Sequence, residues 1–435
     1  MGTARPIEIA RLGEPRIASP LTLSTAIGDG IGNFVPDRAR VRFQAEIGTG
    51  IDDPDLLFEK AGPRERLFFE PAKTRAAIAT CGGLCPGLNN VIRSAVLELH
   101  HNYGVPEILG IRYGYQGLNP AAAHPPVALT PDFVEDIHKD GGSVLGSSRG
   151  PQPVQAMVDY LAAANIQVLL LVGGDGTQRG AHEIAAEIRK RKLAISVIGI
   201  PKTIDNDIMY VRRSFGFVTA IEEAKKVFDC AHNESKGVPY GIGLVKVMGR
   251  ESGFIAAVAT IASQEVNFCF VPEVTMRLDG AKGFLDVLKN RMLARNHAVI
   301  VVAEGAGQEL MPSAPAETDA SGNRKHQDIG VFLKQRIESY FEAERIPVSV
   351  KYIDPSYTIR SVAANSDDSL LCDSYARNAV HAAMAGKTDA LIGFWNACFM
   401  HVPIAMAVES KSRVSPESDL WNGVIAATGQ PRTWG

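Results

Sequence analysis

The sequence predicts an α/β protein with two Rossmann-like lobes, each a mostly parallel sheet covered by helices, and an N-terminal extension. The first observation is a set of fully apolar stretches, such as QVLLLV at 167–172. They lack the alternation of a half-exposed strand and are typical of strands buried on both faces. The second is that stretches with the spacing of amphipathic helices alternate with them. The third is that this alternation resumes after Phe217, which indicates a second lobe.

The segment 1–73 is rich in proline, glycine and charge, and we expect it to pack on the surface as an extension. Beyond Thr74, strands and helices alternate, and a polar stretch at 306–328 predicts a mobile loop. The predicted strands are at 75–80, 107–112, 167–172, 195–200, 242–247, 267–274, 297–305 and 389–394. The predicted helices are at 89–101, 153–165 and 178–192, after Phe217, from Ser252, and at 366–386.

These elements suggest how the chain is divided. We expect a first lobe over 74–215 together with part of the C-terminal region, and a second lobe mainly over 216–395. The remainder, 396–435, is expected to be a C-terminal tail.

Composition excludes several function classes. The formal net charge of −3 gives no overall attraction to nucleic acid or to an acidic membrane surface. The six cysteines are scattered without a CxxC pair, which favours a reducing compartment, and the histidines lack the spacing of a zinc site. No secretory signal or membrane-spanning run is visible, so a cytoplasmic protein is expected.

Two glycine-rich turns point to a phosphate-bearing ligand. CGGLCPGLN follows the first strand and GGDGT (173–177) follows QVLLLV, and each leads into a predicted helix. Glycines let backbone N–H groups approach phosphate oxygens, and a helix N-terminus adds partial positive charge. Asp175, flanked by glycines, suits a carboxylate that reaches a Mg²⁺ ion on those phosphates. The alternative is an aspartate that caps the next helix.

A second acidic motif, PKTIDND (201–207), follows the strand at 195–200. Its two carboxylates, Asp205 and Asp207, are separated by one residue and need not point the same way, so one can act as a general base. Phosphoryl transfer to an alcohol needs such a base, a metal on the phosphates and cations near the transferred group, for which Lys202 and Arg250 are candidates. The alternative is a turn rich in Asx residues that bonds to itself.

Further polar residues follow other predicted strands. Arg250 in MGRES can bind phosphate or pair with Glu251, and Glu273 in VPEV can accept sugar hydroxyls or cap a helix. A second phosphate pocket or an exposed basic loop is indicated for KYIDPSYTIRS, which supplies Lys351, Tyr357 and Arg360. The same ambiguity holds for Arg112 and Arg149. Because carboxyl ends of parallel strands share one edge of a sheet, we expect these turns to converge.

Taken in order, these motifs resemble those of the 6-phosphofructokinases, from about Thr74 to about Gly393. The stretches that carry the resemblance are GGLCPGLN, GIRYGYQGL, GGDGT, PKTIDND, MGRESG, VPE and YIDPSYTIRS. The resemblance implies transfer of a phosphoryl group to the C1 hydroxyl of fructose 6-phosphate, with Mg²⁺, in glycolysis. It also implies an allosteric enzyme that forms a homo-oligomer, either a dimer or a homotetramer.

The resemblance also implies residue roles. Asp205 corresponds to the general base, Asp207 supports it, Thr203 helps to hold the transferred group, and Asp175 positions Mg²⁺. The positions implied for the phosphoryl donor are Gly82, Arg112, Arg149, Gly174, Asp175, Gly176, Thr177 and Lys202. The positions implied for fructose 6-phosphate are Thr203, Asp205, Met248, Gly249, Arg250, Glu273, Lys351, Tyr357 and Arg360, with Arg250 also near the transferred phosphate.

The residue after Asp175 bears on the donor. In the family this position helps to choose the donor, and Gly176 leaves room for the α-phosphate of ATP where an aspartate favours pyrophosphate. Lys202 is usual in pyrophosphate-using members, and the combination of both residues resembles the plant and trypanosomatid ATP-dependent branch. Pyrophosphate remains the alternative donor. Less favoured hypotheses are an NAD or lipid kinase, which share GGDGT, and a non-enzymatic sensor of sugar phosphates.

One departure concerns the stretch before MGR. Bacterial members have an arginine there that reaches the sugar phosphate across a subunit interface, and GVPYGIGLVKVMGR has none at that place. The candidates to replace it are Tyr240, Lys246 and another element of a subunit.

Overall fold

The computed structural model describes residues 5–45, 56–312 and 325–434. Most of the loop predicted at 306–328, namely 313–324, lies outside these residues. The chain forms two compact units. The first comprises Met1–Thr203, Ile208–Gly216 and Val362–Lys411, and the second comprises Ile204–Asp207, Phe217–Ser361 and Ser412–Gly435.

The strands and α-helices of the described residues are numbered along the chain. The strands are β1 (Arg5–Pro6), β2 (Ile17–Ala18), β3 (Arg40–Arg42), β4 (Leu56–Lys60), β5 (Arg66–Leu67), β6 (Arg75–Thr80), β7 (Glu107–Ile111), β8 (Val127–Ala128), β9 (Val168–Gly173), β10 (Ser196–Pro201), β11 (Gly241–Val247), β12 (Phe268–Phe270), β13 (His297–Ala303), β14 (Ser349–Ile353), β15 (Ala390–Trp395) and β16 (Cys398–Pro403). The helices are α1 (Leu88–Leu97), α2 (Pro131–Val134), α3 (Val154–Ala163), α4 (Asp175–Lys190), α5 (Phe217–Lys236), α6 (Phe254–Ser263), α7 (Phe284–Arg295), α8 (Ile329–Ala343), α9 (Ser356–Ser361), α10 (Ser366–Met384), α11 (Ile404–Ala407) and α12 (Asp419–Thr428).

The first unit is built on a sheet whose central strands run β7-β6-β9-β10-β15, all parallel. Their residues are almost entirely buried, as their continuous apolar sequences predict, and helices α4 and α10 pack on β9 and β10. If these five strands are numbered 1 to 5 along the chain, their order across the sheet is 2-1-3-4-5, so the direction of winding reverses between β6 and β9. Ligands of such sheets bind at this switch point, beyond the carboxyl ends of the strands.

The second unit has a four-stranded parallel sheet in the order β12-β13-β11-β14. Helices α5, α6 and α7 pack on β13, and α8 packs on β11 and β14. The core consists of apolar side chains of the sheet and helices, including Leu244, Ile300 and Phe341, all fully buried. The predicted α/β class is therefore confirmed. No helix among the described residues is both long and apolar enough to cross a membrane.

The two chain ends differ from the expectation of a surface extension and a tail. Strands β1, β3 and β4 extend the sheet of the first unit, and β16 pairs antiparallel with both β15 and β4. Strand β15 would otherwise expose a row of unpaired backbone groups at the sheet edge, and β16 satisfies them. In the second unit, α12 packs on α6 and β12. The segment 362–395, which the sequence analysis placed mainly with the second lobe, belongs to the first unit because α10 and β15 pack and pair there.

Candidate active site

The turn after β6 has a backbone shape that only small residues fit. Gly82 has φ +85°, and its amide donates to the carbonyl of Ser148 (3.0 Å). The hydroxyl of Ser147 in turn donates to the carbonyl of Gly82 (2.6 Å). A guanidinium nitrogen of Arg149 lies 3.3 Å from where a Cβ of Gly83 would be. The loop that carries Arg149 is therefore fixed on this glycine turn, as the predicted convergence requires.

Arg112 follows β7 at the same end of the sheet. The amide of Tyr113 donates to the carbonyl of Leu145 (2.8 Å), and the carbonyl of Tyr113 accepts from the hydroxyl of Ser148 (2.6 Å). The guanidinium of Arg112 lies 5.2 Å from the centre of the Tyr113 ring. These bonds bring the Arg112 turn to the loop that also carries Arg149.

The GGDGT turn forms the start of α4. Gly174 is the N-cap residue of α4, so Asp175 is the first helical residue and not the cap. Thr177 is buried, and its side chain occupies the position where a Cβ of Gly173 would lie. At Gly176, by contrast, an added Cβ would meet no atom of the described residues within 4 Å. The N-terminus of α4 therefore faces open space at that residue.

Lys202 joins three of these turns. Its side chain is almost fully buried, and its ammonium donates to the carbonyl of Gly83 (2.7 Å) and lies 3.3 Å from the Cβ position of Gly82. Its amide donates to the carbonyl of Gly173 (3.1 Å). A fixed positive charge thus lies beside the glycine turn at the switch point, where anionic phosphate is favoured.

Asp175 contacts a cation that the sequence analysis did not single out. Its Oδ2 lies 3.6 Å from Nζ of Lys411, and both side chains are about one-fifth to one-quarter exposed (19% and 26%). A single carboxylate at a strand end fits Mg²⁺, which prefers oxygen ligands and is commonly held by one or two carboxylates plus substrate phosphates. Across residues 5–45, 56–312 and 325–434, no cluster of three or more histidine, cysteine, aspartate or glutamate side chains has metal-site geometry.

In the second unit, the two acids of PKTIDND are held differently. Asn206 between them has φ +55°, and Asp205 is half-buried whereas Asp207 is buried. The carbonyl of Asp205 accepts from the hydroxyl of Ser252 (3.1 Å), and that of Asp207 accepts from the amide of Ser412 (2.8 Å). The left-handed residue lets the turn place Asp205 and Asp207 in positions that differ in burial.

The MGRESG turn is shaped by Gly249. This residue has φ +129°, and a Cβ there would lie 2.5 Å from the carbonyl of Ser252. Its own carbonyl accepts from the amide of Gly305 (3.2 Å), which comes just after β13. Met248 and Arg250 are therefore carried by a tight turn that the hydroxyl of Ser252 also links to Asp205.

Glu273 lies at the start of α6, as one of the two alternatives considered for it predicts. Its Oε1 accepts from the amides of Gly253 (3.0 Å), the N-cap of α6, and Val414 (2.8 Å). Its Oε2 is buried and makes no hydrogen bond to the described residues. One oxygen thus anchors a helix start, while the other is a buried acceptor that a sugar hydroxyl can satisfy.

The residues of YIDPSYTIRS lie on other elements. Lys351 is exposed within β14, and Tyr357, 76% exposed, lies on α9 with the guanidinium of Arg360 4.9 Å from its ring centre. The interaction seen for Tyr357 and Arg360 is with each other, so their role in sugar-phosphate binding stays a prediction. Lys246, a candidate to replace the bacterial arginine, pairs at 2.9 Å with both Asp328 and Asp354. These contacts connect β11 to the start of α8, where Asp328 is the N-cap, and to the turn after β14, where Asp354 lies.

A segment that the sequence analysis assigned to the tail supplies further contacts. Within the first unit, Lys411 contacts Asp175. Within the second, Ser412 bonds to the PKTIDND turn, Arg413 lies 3.9 Å from Glu251, and Val414 bonds to Glu273. No motif or spacing in KSRV signals this placement, because it depends on contacts between residues far apart in sequence.

Comparison with known proteins agrees with this geometry. The phosphofructokinase family model matches residues 75–383. An ATP-dependent 6-phosphofructokinase of Borreliella burgdorferi is 48% identical over 432 residues, which cover 98% of this chain and 96% of that protein. One of Amycolatopsis methanolica is 42% identical over 442 residues, covering 99% and 96%.

A solved structure supports the fold. The crystal structure of a pyrophosphate-dependent phosphofructokinase from Marinobacter aquaeolei has a TM-score of 0.67, with 17% identity, covering 83% of this chain and 92% of that chain. At this identity the likeness concerns the fold alone. The family match and the nearly full-length relatives confirm the resemblance inferred from the ordered motifs, and the chain belongs to the phosphofructokinase family.

Proposed function

We propose that this protein transfers a phosphoryl group from ATP to the C1 hydroxyl of fructose 6-phosphate, giving fructose 1,6-bisphosphate and ADP, as a step of glycolysis. The observation that carries the proposal is the gathering of two glycine turns and Lys202 beside Asp175 at the switch point of the first sheet. The two curated relatives named above are ATP-dependent 6-phosphofructokinases of nearly the same length.

In this proposal the first unit binds the donor. Backbone amides of the turns after β6 and β9 and the N-terminus of α4 favour phosphate oxygens, and Lys202 adds a fixed positive charge. The residues proposed to bind the donor are Gly82, Arg112, Arg149, Gly174, Asp175, Gly176, Thr177 and Lys202. For Thr177, its burial against Gly173 supports a role in shaping the turn.

The second unit is proposed to bind the sugar phosphate and to supply the base. Asp205 accepts the proton of the C1 hydroxyl as the oxygen attacks the γ-phosphorus, and the buried Asp207 keeps the turn in position through its carbonyl. Arg250 stabilises the charge on the transferred group, as Arg commonly does with phosphate, and Thr203 helps to hold that group. The remaining residues proposed for the sugar phosphate are Met248, Gly249, Glu273, Lys351, Tyr357 and Arg360.

The choice of ATP over pyrophosphate is supported by the open space at Gly176. Within the part of the chain that the structure describes, nothing lies within 4 Å of a Cβ position there, so an α-phosphate and nucleoside can extend over the helix start. An aspartate would place negative charge in the same space. A lysine at position 202 is usual in pyrophosphate-using members. Here the Lys202 ammonium donates to the carbonyl of Gly83 and does not fill the space at Gly176.

The proposal includes Mg²⁺, a homo-oligomer and a cytoplasmic location. Asp175 is the residue that would hold Mg²⁺, which when bound neutralises charge on the donor phosphates. A dimer or tetramer and allosteric control follow from the family resemblance, and the scattered free cysteines support a reducing compartment.

A paired assay tests the proposal. Purified protein is given fructose 6-phosphate with MgATP, and in a second series with Mg²⁺ and pyrophosphate, and fructose 1,6-bisphosphate is measured. We expect turnover with MgATP and little with pyrophosphate. Turnover with pyrophosphate but not with MgATP would show that pyrophosphate is the donor. Turnover with neither donor would contradict the proposed activity.

A further inference from the structure

Lys411 lies in the polar stretch after α11, outside every motif described above. Its backbone forms an isolated antiparallel bridge with Ile208, the residue that directly follows PKTIDND. The next residue, Ser412, donates its amide to the carbonyl of Asp207 (2.8 Å). Two consecutive backbone attachments therefore fix where the side chain of Lys411 begins.

The side chain of Lys411 reaches the start of α4. Its Nζ lies 3.6 Å from Oδ2 of Asp175, an ion-pair distance that is longer than a hydrogen bond. Both groups keep some exposure to solvent, so a ligand that approaches from solvent can reach the ammonium. The ammonium places a positive charge at the turn where Gly176 leaves open space.

The pair differs from the ion pair at the other end of α4. Lys190 and Glu187, at the other end of α4, are three residues apart, and the Lys190 side chain is 76% exposed. Lys411 and Asp175 are far apart in sequence, and the pair forms only because the chain returns to the carboxyl end of β9. This placement is unexplained by helix stability, since Asp175 in the first turn already lies well with respect to the helix dipole.

We propose that Lys411 is a donor-binding residue, which pairs with Asp175 in the substrate-free enzyme and contacts the polyphosphate of the donor in the complex. This inference rests on the proposed role of Asp175 and adds a second ammonium to the one supplied by Lys202. Lys202 lies at the turn after β6, and Lys411 lies at the turn after β9. A lysine ammonium binds phosphate as a compact charge from several directions, so it can turn from the carboxylate to a phosphate oxygen.

The test compares Lys411→Met and Lys411→Arg with a control variant, Lys190→Met, which removes a lysine from the other end of α4. Binding of Mg²⁺-β,γ-methylene-ATP is measured by calorimetry without turnover, and the KM values for ATP and fructose 6-phosphate are measured alongside thermal unfolding. For Lys411→Met we expect about 10-fold weaker analogue binding and a similar rise in KM for ATP, the size of one charge-assisted hydrogen bond. The KM for fructose 6-phosphate and the Tm should stay near the wild-type values, as should every parameter of Lys190→Met.

Lys411→Arg should recover most of the affinity because it keeps the charge. Wild-type analogue affinity in Lys411→Met would overturn the inference while leaving the proposed function standing. A loss of affinity accompanied by a lower Tm and not rescued by arginine would also overturn it, in favour of a structural role. A wild-type enzyme that binds no analogue and does not use ATP would contradict the proposed function and this inference together.

Discussion

Replacing Gly176 with aspartate tests the donor assignment most directly. Gly176 is the second residue of α4, and its φ lies outside the left-handed region, so a side chain can adopt the same backbone. An added Cβ meets nothing within 4 Å among residues 5–45, 56–312 and 325–434. An acidic residue in the first turn of a helix is favoured by the helix dipole, by roughly 0.3–1 kcal/mol. We therefore expect a folded protein with an unchanged or slightly higher Tm.

The effect on ATP follows from charge in that open space. Two unit charges about 5 Å apart repel by roughly 3 kcal/mol at an effective dielectric constant of about 20. The neighbouring Lys202 and Lys411 ammonium groups reduce this, so we take about 2 kcal/mol as the net penalty in the transition state. The corresponding loss in kcat/KM for ATP is about 30-fold.

The assay is the initial rate of fructose 1,6-bisphosphate formation over a range of MgATP and of pyrophosphate concentrations. Gly176→Asn separates charge from volume, and we expect it to lose less ATP activity than Gly176→Asp. Gly176→Ala should behave like the wild type because one methyl group leaves most of the space open. Unchanged ATP kinetics in Gly176→Asp would refute the argument from space and charge.

Three further predictions follow. Asp205→Ser should lower kcat by about 100-fold or more, as loss of a general base does, while calorimetry still detects fructose 6-phosphate binding; a near-normal rate would remove Asp205 from that role. Glu59→Gln should lower the free energy of unfolding in urea by about 3 kcal/mol, because the buried Lys387 lies 2.6 Å from Glu59 and Arg64 lies 2.9 Å from it. The neutral amide would leave these two cations to the carboxylate of Asp37, which is 46% exposed; a change under about 1 kcal/mol would contradict this. Burial lowers the pKa of His381 to about 3, so below about pH 6.5 the unfolded chain binds a proton that the folded chain does not bind, and stability should fall as the pH drops from there towards 4. In His381→Gln the urea midpoint should fall less steeply with pH, and a slope equal to that of the wild type would argue against a buried neutral imidazole.

Much of the fold was open to prediction from patterning. Strand β9 and strand β10 read as continuous apolar runs, and the structure buries all of their residues. Their parallel pairing follows because both faces need covering by helices. The chain ends were not predictable in the same way. Strand β16 has six residues, like β9, but its sequence mixes polar and apolar residues, and its place in the sheet depends on the free edge of β15.

The candidate site divides similarly. The glycine turns and their acids were recognisable because backbone approach to phosphate requires glycine, and a carboxylate beside such a turn has a chemical reason to be there. The contact of Lys411 with Asp175 and the bond of Val414 to Glu273 were not recognisable. Each depends on a backbone amide or side chain that the fold brings from a distant part of the chain.

The amino-acid sequence alone determined which local structures form: buried strands, the helices between them, and the turns with room for phosphate, since each of these depends on the chemistry of neighbouring residues. It also carried the ordered motifs that identify the family. Only the tertiary structure decided which charges meet, such as the ammonium of Lys411 at Asp175 and the amide of Val414 at Glu273. The physical reason is range: side-chain patterning acts over a few residues along the chain, whereas an ion pair or hydrogen bond forms at a few ångströms whatever the separation in sequence.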